Sequence, residues 1–256
     1  MEGKNVELEP KDFEQEFTTM WSFPDRGTWA THSGSDWRGN WSPYVPRNLI
    51  LKYSKPGDVV LDCFIGGGTT AVEAKLLARN CIGVDINPKA IELAKQKVKF
   101  KVDSHDREPV LMVEDARNLH FVKDNSVDLV CSHPPYADAI KYSKAIPGDL
   151  SRLPVKSFLE EMRQVAVENY RVLKPGRYCA VLIGDKREKR RVVPLGMMVM
   201  RVYLRAGFVL KEIIIKAQHN CRMDSKWVKK AKELNFLLLG HEYLPVFEKP
   251  AGKGDE

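Results

Sequence analysis

The segment VVLDCFIGGGTTAVEAKLLARNCIGVDIN, residues 59–87, limits the fold of this chain more than any other stretch. A short β-rich run ends at Asp62 and breaks into the turn Gly66-Gly67-Gly68, and a helical stretch then leads to a second apolar run that ends at Asp85. Strand, glycine turn, helix, strand and acid in this order form half of a nucleotide-binding sheet. Glycines let the backbone approach a ligand closely, and the acid can accept both hydroxyls of a ribose. The segment therefore predicts an α/β protein that binds a nucleotide.

The type of cofactor stays open on this segment alone. The pattern Gly66-x-Gly68-x-x-Ala71 also fits the relaxed dinucleotide fingerprint, and Asp85 lies near the spacing expected there. A nicotinamide or flavin enzyme is therefore one interpretation, and the remaining chain has to distinguish it from others.

Apolar runs and amphipathic stretches alternate through the rest of the chain. We predict helices at residues 46–53, 87–99, 156–173 and 195–205, and strands at 110–113, 127–131, 178–183, 208–216, 236–239 and 243–247. This alternation indicates a single doubly wound, mostly parallel seven-stranded sheet with helices on both faces and an antiparallel closing strand. We expect residues 21–256 to form one domain, after an acidic lead-in at residues 1–20 with a short helix from Asp12.

Composition narrows the class of protein. Five cysteines occur without a C-x-x-C pair, which favours reduced core cysteines over a zinc site or disulfides. The amino terminus is acidic and polar, unlike a secretory signal, and no apolar run is long enough to span a membrane, so we expect a cytoplasmic protein. The formal charge of +7 and the isoelectric point of about 9.1 suit a polyanionic partner.

Residues 21–50 combine many aromatic and basic side chains without a helical or strand period. Proline and glycine interrupt this aromatic segment throughout, which predicts an irregular loop. Its distinctive residues are Trp21, Trp29, Trp37, Trp41, Arg26, His32, Arg38 and Asn40. Two interpretations stay open: a hydrophobic lid on the domain, or a platform for a base or cofactor with arginines placed for carboxylate or phosphate.

Two motifs together resemble the amino-methyltransferases that use S-adenosylmethionine on nucleic-acid bases, of the cytosine-N4 and adenine-N6 type. LDCFIGGGTT followed by GVDINP is similar to the cofactor motif of that family, and His133-Pro134-Pro135-Tyr136 is similar to its catalytic motif. The stretches WSFPDRGTWATHSG and RGNWSPYVPRNLI resemble the family motif that precedes the cofactor strand, and the order of motifs matches one permuted arrangement. The resemblance implies a Rossmann-like methyltransferase fold and argues against a dinucleotide enzyme, for which a second catalytic domain is missing.

The resemblance also implies how the cofactor would be held. The turn Gly66 to Gly68 would approach the methionine part, Asp85 would bind the ribose, and Asp115 would bind the adenine amino group. Weaker candidates at the amino-acid end are Asp62 and Arg38. Further contacts implied for the cofactor are Thr69, Ile86 and Ala116.

The catalytic motif has a physical logic of its own. An exocyclic base amine is conjugated to its ring and is a poor nucleophile, so acceptors aimed at its hydrogens would free its lone pair. The Pro134 carbonyl and a neutral His133 side chain would be those acceptors, in a loop stiffened by Pro134 and Pro135. Tyr136 would stack on the base. The family usually has Asp, Asn or Ser where this chain has His133, and an unperturbed histidine would make activity fall below about pH 6.5.

The substrate is predicted from what the chain lacks. Residues 184–256 must supply the closing elements of the sheet and leave little for a module that reads DNA through the major groove. RNA can be recognised by shape and by bases already unstacked in loops. We therefore expect cytosine-N4 methylation of structured, ribosomal RNA, with the ribosome or a ribosomal subunit as a partner. Candidate nucleic-acid contacts are Lys186, Arg187, Arg190, Arg191, Trp29 and Trp37, together with the polar stretch 218–222.

Two alternatives remain. A DNA methyltransferase, acting on cytosine N4 or adenine N6, is favoured if a recognition partner accompanies it. A non-catalytic subunit that binds S-adenosylmethionine and nucleic acid is disfavoured, because both cofactor acids and the catalytic motif are complete.

Overall fold

Strands and helices alternate from residue 20 to residue 248 in the computed structural model, which describes residues 7–33, 37–105, 107–219 and 224–251. The strands are β1 (Met20–Trp21), β2 (Val59–Asp62), β3 (Asn80–Asp85), β4 (Val110–Val113), β5 (Val127–Ser132), β6 (Leu173–Val181), β7 (Lys186–Glu188), β8 (Arg191–Val193), β9 (Val209–Ala217) and β10 (His241–Glu248). The helices are α1 (Tyr44–Tyr53), α2 (Thr69–Leu76), α3 (Pro88–Lys97), α4 (Val155–Val172), α5 (Leu195–Arg205) and α6 (Asp224–Glu233).

One eight-stranded sheet organises the molecule, in the order β1-β9-β10-β6-β5-β2-β3-β4. The strands β4, β3, β2, β5 and β6 run parallel to one another, whereas β10 runs antiparallel to both β6 and β9. The predicted doubly wound sheet with an antiparallel closing strand is confirmed. The added edge strand is β1, which pairs in parallel with β9 through Met20 and Trp21. Because the carboxyl ends of β2, β3, β4 and β5 meet at one edge, loops after these strands converge on a common site.

Three local predictions were wrong. Residues 236–239 form no strand, because β6 and β9 already occupy both sides of β10. No helix forms from Asp12, whose φ of 54° is left-handed and interrupts a helix at its start. Residues 186–191, where no strand is predicted, form a hairpin of β7 and β8, in which Lys189 and Arg190 at the turn both have positive φ, as tight two-residue hairpins require.

The lead-in contacts α1 where the structure describes it. Glu9 forms an ion pair with Arg47, and the Phe13 ring stacks on Tyr44 at 6.2 Å between centroids. The Glu16 amide donates to Asn48 Oδ1 at 2.7 Å. Residues 7–16 therefore pack along the first helix.

The aromatic segment is attached to the sheet layer by a buried carboxylate. Glu73 on α2 is fully buried; its Oε1 accepts from Trp29 Nε1 at 2.8 Å and lies 2.7 Å from His32 Nε2. Its Oε2 accepts from Arg47 Nη1 at 3.0 Å. Trp41 is buried as well. The lid interpretation of this segment is right for these tryptophans, since their rings pack into the core.

Cysteines in the described residues are free and buried in the core, where burial raises the pKa of each thiol. They are Cys63, Cys81, Cys131 and Cys179. No cluster of His, Cys, Asp or Glu in the described ranges is arranged to hold a metal ion. A search of the same ranges finds no helix with the length and apolar character needed to cross a membrane.

Candidate active site

A cleft of about 780 Å³ opens at the carboxyl edge of the parallel strands. Seven of the residues predicted to bind the cofactor line it: Asp62, Gly66, Thr69, Asp85, Ile86, Asp115 and Ala116. The catalytic motif reaches the same cleft through His133 and Pro135. The topology therefore brings together motifs that are separated along the chain by more than one strand and helix.

The glycine turn has two different faces. Gly66 lines the cleft, and its amide donates to Asp85 Oδ2 at 3.1 Å. Gly67 and Gly68 lie behind Gly66 and pack against other parts of the structure, and their contact with the cofactor stays a prediction. A Cβ on Gly67 would lie 2.7 Å from Asn40 Nδ2, and one on Gly68 would lie 2.9 Å from the backbone of Ala94. These two positions need glycine because the aromatic segment and α3 pack directly against the turn.

Asp85 ends β3 with both carboxylate oxygens directed by backbone amides. Asn87 N donates to Oδ1 at 2.9 Å and Gly66 N to Oδ2 at 3.1 Å. Burial nevertheless raises the pKa of Asp85 to about 6. A carboxylate held in this way at the end of the second strand of the motif can still accept from ribose hydroxyls.

The pKa values of Asp115 and Asp62 are shifted in opposite directions. Burial alone would raise the pKa of Asp115, but hydrogen bonds from Arg117, at 2.9 Å from Nε to Oδ1, hold it below its usual range. Asp62 forms no ion pair with any described basic side chain: Thr70 Oγ1 donates to it at 2.6 Å and Phe64 N at 2.9 Å. Burial raises the pKa of Asp62 to about 7. A cationic group bound beside Asp62 would restore its charge, and the ammonium of S-adenosylmethionine is such a group.

The far wall of this cleft contains Trp37, which was predicted as a nucleic-acid contact, and three residues that sequence reasoning missed. Trp37 and Tyr142 stack at 5.8 Å with an interplanar angle of 10°, and Gly148 and Asp149 complete the wall. Gly148 has a φ of +82°, and a Cβ there would lie 2.4 Å from Arg117 Nη2. The sequence signal was the turn Pro147-Gly148-Asp149, which carries no motif of its own.

A second cleft, of about 1340 Å³, adjoins the first. The two share Gly39, Asn40, Trp41, His133 and Tyr142 in their walls. Tyr136 lines only the second cleft, beside Arg26, Lys216 and Glu242. His133 of the predicted catalytic motif thus lies at the junction of the two clefts.

His133 is held at this junction by its neighbours. Its ring stacks on Trp41 with 5.6 Å between centroids, and Nε2 lies 2.9 Å from Tyr136 Oη. Burial lowers the pKa of His133 to about 4, against an opposing effect of Glu242. The ring is therefore neutral at neutral pH, as an acceptor must be, and the titration near pH 6.5 expected from an unperturbed histidine is corrected.

Tyr136 is more than a stacking surface. Its hydroxyl donates to Glu242 Oε1, and its ring packs against Gly184, where a Cβ would lie 2.6 Å from Tyr136 Cε2. Pro134 is buried in the loop between His133 and Tyr136. Glu242 and Lys216, which complete this arrangement, come from β10 and β9 and were not found from the sequence.

The predicted nucleic-acid contacts divide into three groups. Trp29 is 5% exposed and bonded to Glu73, so the structure excludes it as a platform for a base. Lys186 is paired with Asp138 and Glu188. The other members of the hairpin are Arg187, half-buried, and Arg190 and Arg191, both exposed.

Two further predictions concern the rim of the clefts. Arg38 is exposed and lies between Trp37 and Gly39, which line the cofactor cleft, so its role at the amino-acid end stays a prediction. Gln218 and His219 line the second cleft, while residues 220–222 of the same polar stretch lie outside the described residues.

Comparison with known proteins supports the interpretation of the cofactor motif and the His133–Tyr136 motif as those of a methyltransferase. Residues 2–96 match a family described as DNA methylase, and residues 61–136 match a methyltransferase domain family. The type II methyltransferase M.BglI of Bacillus subtilis is 37% identical over 90 residues, which are 34% of this chain and 26% of that protein. A tRNA (guanine(10)-N2)-dimethyltransferase of Methanothermobacter thermautotrophicus is 28% identical over 124 residues, 48% of this chain and 34% of that protein. The chain thus matches only about a quarter to a third of the length of these two relatives.

Solved structures extend the likeness to most of the chain. An S-adenosylmethionine-dependent methyltransferase from Methanosarcina mazei superposes with a TM-score of 0.55 at 15% identity, covering 80% of this chain and 98% of that one. A geranyl diphosphate methyltransferase gives a TM-score of 0.53 at 13% identity, covering 81% and 85%. The predicted resemblance is confirmed: the chain has the fold of the S-adenosylmethionine-dependent methyltransferases, its residues 2–96 match the DNA methylase family, and its residues 61–136 match the methyltransferase domain family.

Proposed function

We propose that this protein transfers a methyl group from S-adenosylmethionine to an exocyclic amine of a nucleic-acid base, and that the base is cytosine, methylated at N4 in structured ribosomal RNA in the cytoplasm. One observation carries the proposal. The cleft lined by the cofactor motif and the second cleft meet at His133, which lines both. We also propose that residues 21–256 form the methyltransferase domain, preceded by the lead-in.

The residues present in the first cleft fit S-adenosylmethionine. When bound, the cofactor supplies an electrophilic methyl group on a sulfonium. Asp85 would accept from the ribose hydroxyls, Asp115 would lie beside the adenine, and the buried Asp62 would face the ammonium. The stacked Trp37 and Tyr142 would close the cleft and exclude water from the reacting groups.

The second cleft would hold the target base. The neutral His133 ring and the Pro134 carbonyl would accept from the two amine hydrogens and leave the nitrogen lone pair directed toward the first cleft. Arg26 and Lys216 line this second cleft. Cytosine presents N3 next to its amine and a carbonyl oxygen beyond N3, whereas adenine presents only ring nitrogens, so a guanidinium such as that of Arg26, which can donate to the carbonyl, favours cytosine in this proposal.

RNA as the substrate is proposed from charge and from the basic β7–β8 hairpin, which lies outside the eight-stranded sheet. Arg190 and Arg191 are exposed on the hairpin, and the chain carries a formal charge of +7. Recognition would then combine phosphate contacts with the shape of an RNA in which the base is already unstacked.

A DNA substrate is the second candidate, favoured by a specific finding. The family that matches residues 2–96 is described as DNA methylase, and M.BglI is a type II methyltransferase. The relative from Methanothermobacter, in contrast, is named for a tRNA. The relatives therefore include enzymes named for both kinds of nucleic acid.

A substrate panel tests the proposal. Purified protein and a radiolabelled methyl donor are offered ribosomal subunits, free ribosomal RNA, transfer RNA and duplex DNA in parallel. Label in ribosomal RNA, recovered as N4-methylated cytidine after digestion, is the expected result. Label confined to DNA at a defined sequence would instead establish the DNA candidate, and no label in any substrate would contradict the methyltransferase activity itself.

A further inference from the structure

Four side chains form a continuous hydrogen-bonded chain beside the second cleft. Tyr136 Oη lies 2.9 Å from His133 Nε2 and 2.5 Å from Glu242 Oε1, and Glu242 Oε2 lies 2.7 Å from Lys216 Nζ. The Glu242 and Lys216 side chains are largely buried, at 9% and 13% exposure. The four residues come from the loop after β5 and from the adjacent strands β9 and β10.

The direction of every hydrogen bond in this chain follows from its charged end. Lys216 pairs with Glu242 and keeps it ionised, and an ionised carboxylate can only accept. Tyr136 has one hydroxyl hydrogen and must donate it to Glu242, so toward His133 the same oxygen can only accept. Nε2 of His133 must therefore carry a hydrogen, and in a neutral imidazole the lone pair then lies on Nδ1.

We propose that Glu242 and Lys216 are positioning residues that act through Tyr136 to hold His133 in the Nε2-protonated tautomer, so that Nδ1 is the acceptor for the base amine. This inference rests on the proposed function of the second cleft. The opposite tautomer would present an N–H to the hydrogens of the amine and would repel them. Two residues on strands far from the catalytic motif in sequence thus decide which atom of His133 can take part.

The arrangement also explains why histidine can stand in the motif position. The residues usual there in the family, Asp, Asn and Ser, each offer an oxygen lone pair. A neutral histidine offers one lone pair, on a nitrogen whose identity depends on the tautomer. Stacking on Trp41 fixes the plane of the His133 ring, and the chain through Tyr136 fixes its hydrogen.

The charged groups that face His133 are Glu242, Lys216 and Arg26. Glu242 favours a proton on the ring, and the two cations oppose it. Replacing Glu242 by glutamine removes the anion and offers an amide that can donate to Tyr136 Oη. Tyr136 can then donate to His133 Nε2, which moves the ring hydrogen to Nδ1.

Nitrogen-15 NMR of protein labelled at histidine reads the tautomer directly. The His133 signals are assigned by their loss in His133→Asn. We expect Nδ1 to be pyridine-like and Nε2 pyrrole-like in the unaltered protein, and the two to average or exchange character in Glu242→Gln. The conservative variant Tyr136→Phe, which removes one oxygen, should also lose the preference. Glu248→Gln, at the other end of β10, is the matched control and should leave the signals unchanged.

Activity supplies the second readout. In Glu242→Gln we expect kcat to fall by roughly a hundredfold or more, because the wrong tautomer removes the acceptor altogether, while cofactor affinity changes only a few-fold. An Nδ1-protonated ring in the unaltered protein, or an unchanged tautomer in both variants, would overturn the inference. The NMR result needs no methyl acceptor, so it stands apart from the substrate panel. If the unaltered protein methylates nothing, the proposed function fails even where the tautomer is as expected.

Discussion

A histidine in water titrates near pH 6.5, but burial lowers the pKa of His133 to about 4, against the raising effect of Glu242. Protonation removes the ring lone pair, so methyl transfer depends on the neutral form. At saturating cofactor we expect initial rates to stay nearly constant between about pH 8 and pH 5 and to fall only toward pH 4. A fall with a midpoint near 6.5 would contradict this. His133→Asn, which keeps an acceptor, should retain far more activity than His133→Ala.

The buried carboxyl of Asp62 makes the stability of the folded protein depend on pH. Burial raises the pKa of Asp62 from 3.8 to about 7, against hydrogen bonds from Thr70 and Phe64. Between these values the unfolded chain has released this proton and the folded chain still holds it, so the free energy of unfolding falls as the pH rises from about 4 to about 7. The shift in the pKa of Asp62 corresponds to at most about 4 kcal/mol in the free energy of unfolding.

The uncharged, isosteric change Asp62→Asn should therefore flatten this part of the pH dependence. Urea unfolding without cofactor, repeated across this pH range, measures it. Asp103→Asn, at an exposed position, serves as the control and should leave the slope as it is. An equal slope in Asp62→Asn and the unaltered protein would contradict the assignment of a raised pKa to Asp62.

Helix α2 connects the aromatic segment to the sheet through one buried charge. Glu73 contacts Trp29, His32 and Arg47, and removing its charge would leave the buried guanidinium of Arg47 without this partner. Breaking a buried ion pair from one side costs about 3–5 kcal/mol, so we expect Glu73→Ala to lower the free energy of unfolding by that amount. Denaturant unfolding checks it, with the exposed Glu92→Ala on α3 as control. A loss below about 1 kcal/mol, typical of an exposed pair, would show that Glu73 is not the anchor.

The β7–β8 hairpin carries Arg190 and Arg191, the exposed residues among the predicted nucleic-acid contacts. Arg190 and Arg191 lie at its turn and second strand, whereas Lys186 is already paired with Asp138 and Glu188. Charge reversal at both arginines should weaken RNA binding and reduce its salt dependence by about 0.7 slope units per lost phosphate contact. Binding isotherms at several salt concentrations measure the slope. Lys211→Glu, exposed at the start of β9, is the control; an unchanged slope in the hairpin variant would mean that the hairpin is only solvated surface.

The whole molecule places two clefts side by side along the carboxyl edge of one sheet, so cofactor and base would occupy adjoining spaces. A ligand that binds only the folded chain stabilises it, so excess S-adenosylmethionine should raise the melting temperature. Asp85→Ala should weaken its binding by roughly 1.5–3 kcal/mol, the loss of a charge-assisted hydrogen bond. Calorimetry measures both, with Asp103→Ala as control. A preference for a nicotinamide cofactor would contradict the assignment of the first cleft.

The sequence by itself determined the sheet and the identity of the two motifs. Residues 59–87 and the alternation of apolar runs predicted the parallel core, because helix and strand periods depend on neighbouring residues. Asp85, Asp115 and His133 were found because each follows a recognisable strand, and carboxyl ends of parallel strands share one edge.

Only the tertiary structure decided what surrounds those residues. Glu242 and Lys216 act on His133 through Tyr136, from strands about eighty residues or more further along the chain, and no local pattern links them to the catalytic motif. The burial that makes His133 neutral and Trp29 inaccessible likewise arises from segments distant in sequence. The pKa of a side chain and its hydrogen-bond partners depend on how the whole chain packs around it, and spacing in the sequence does not contain that information.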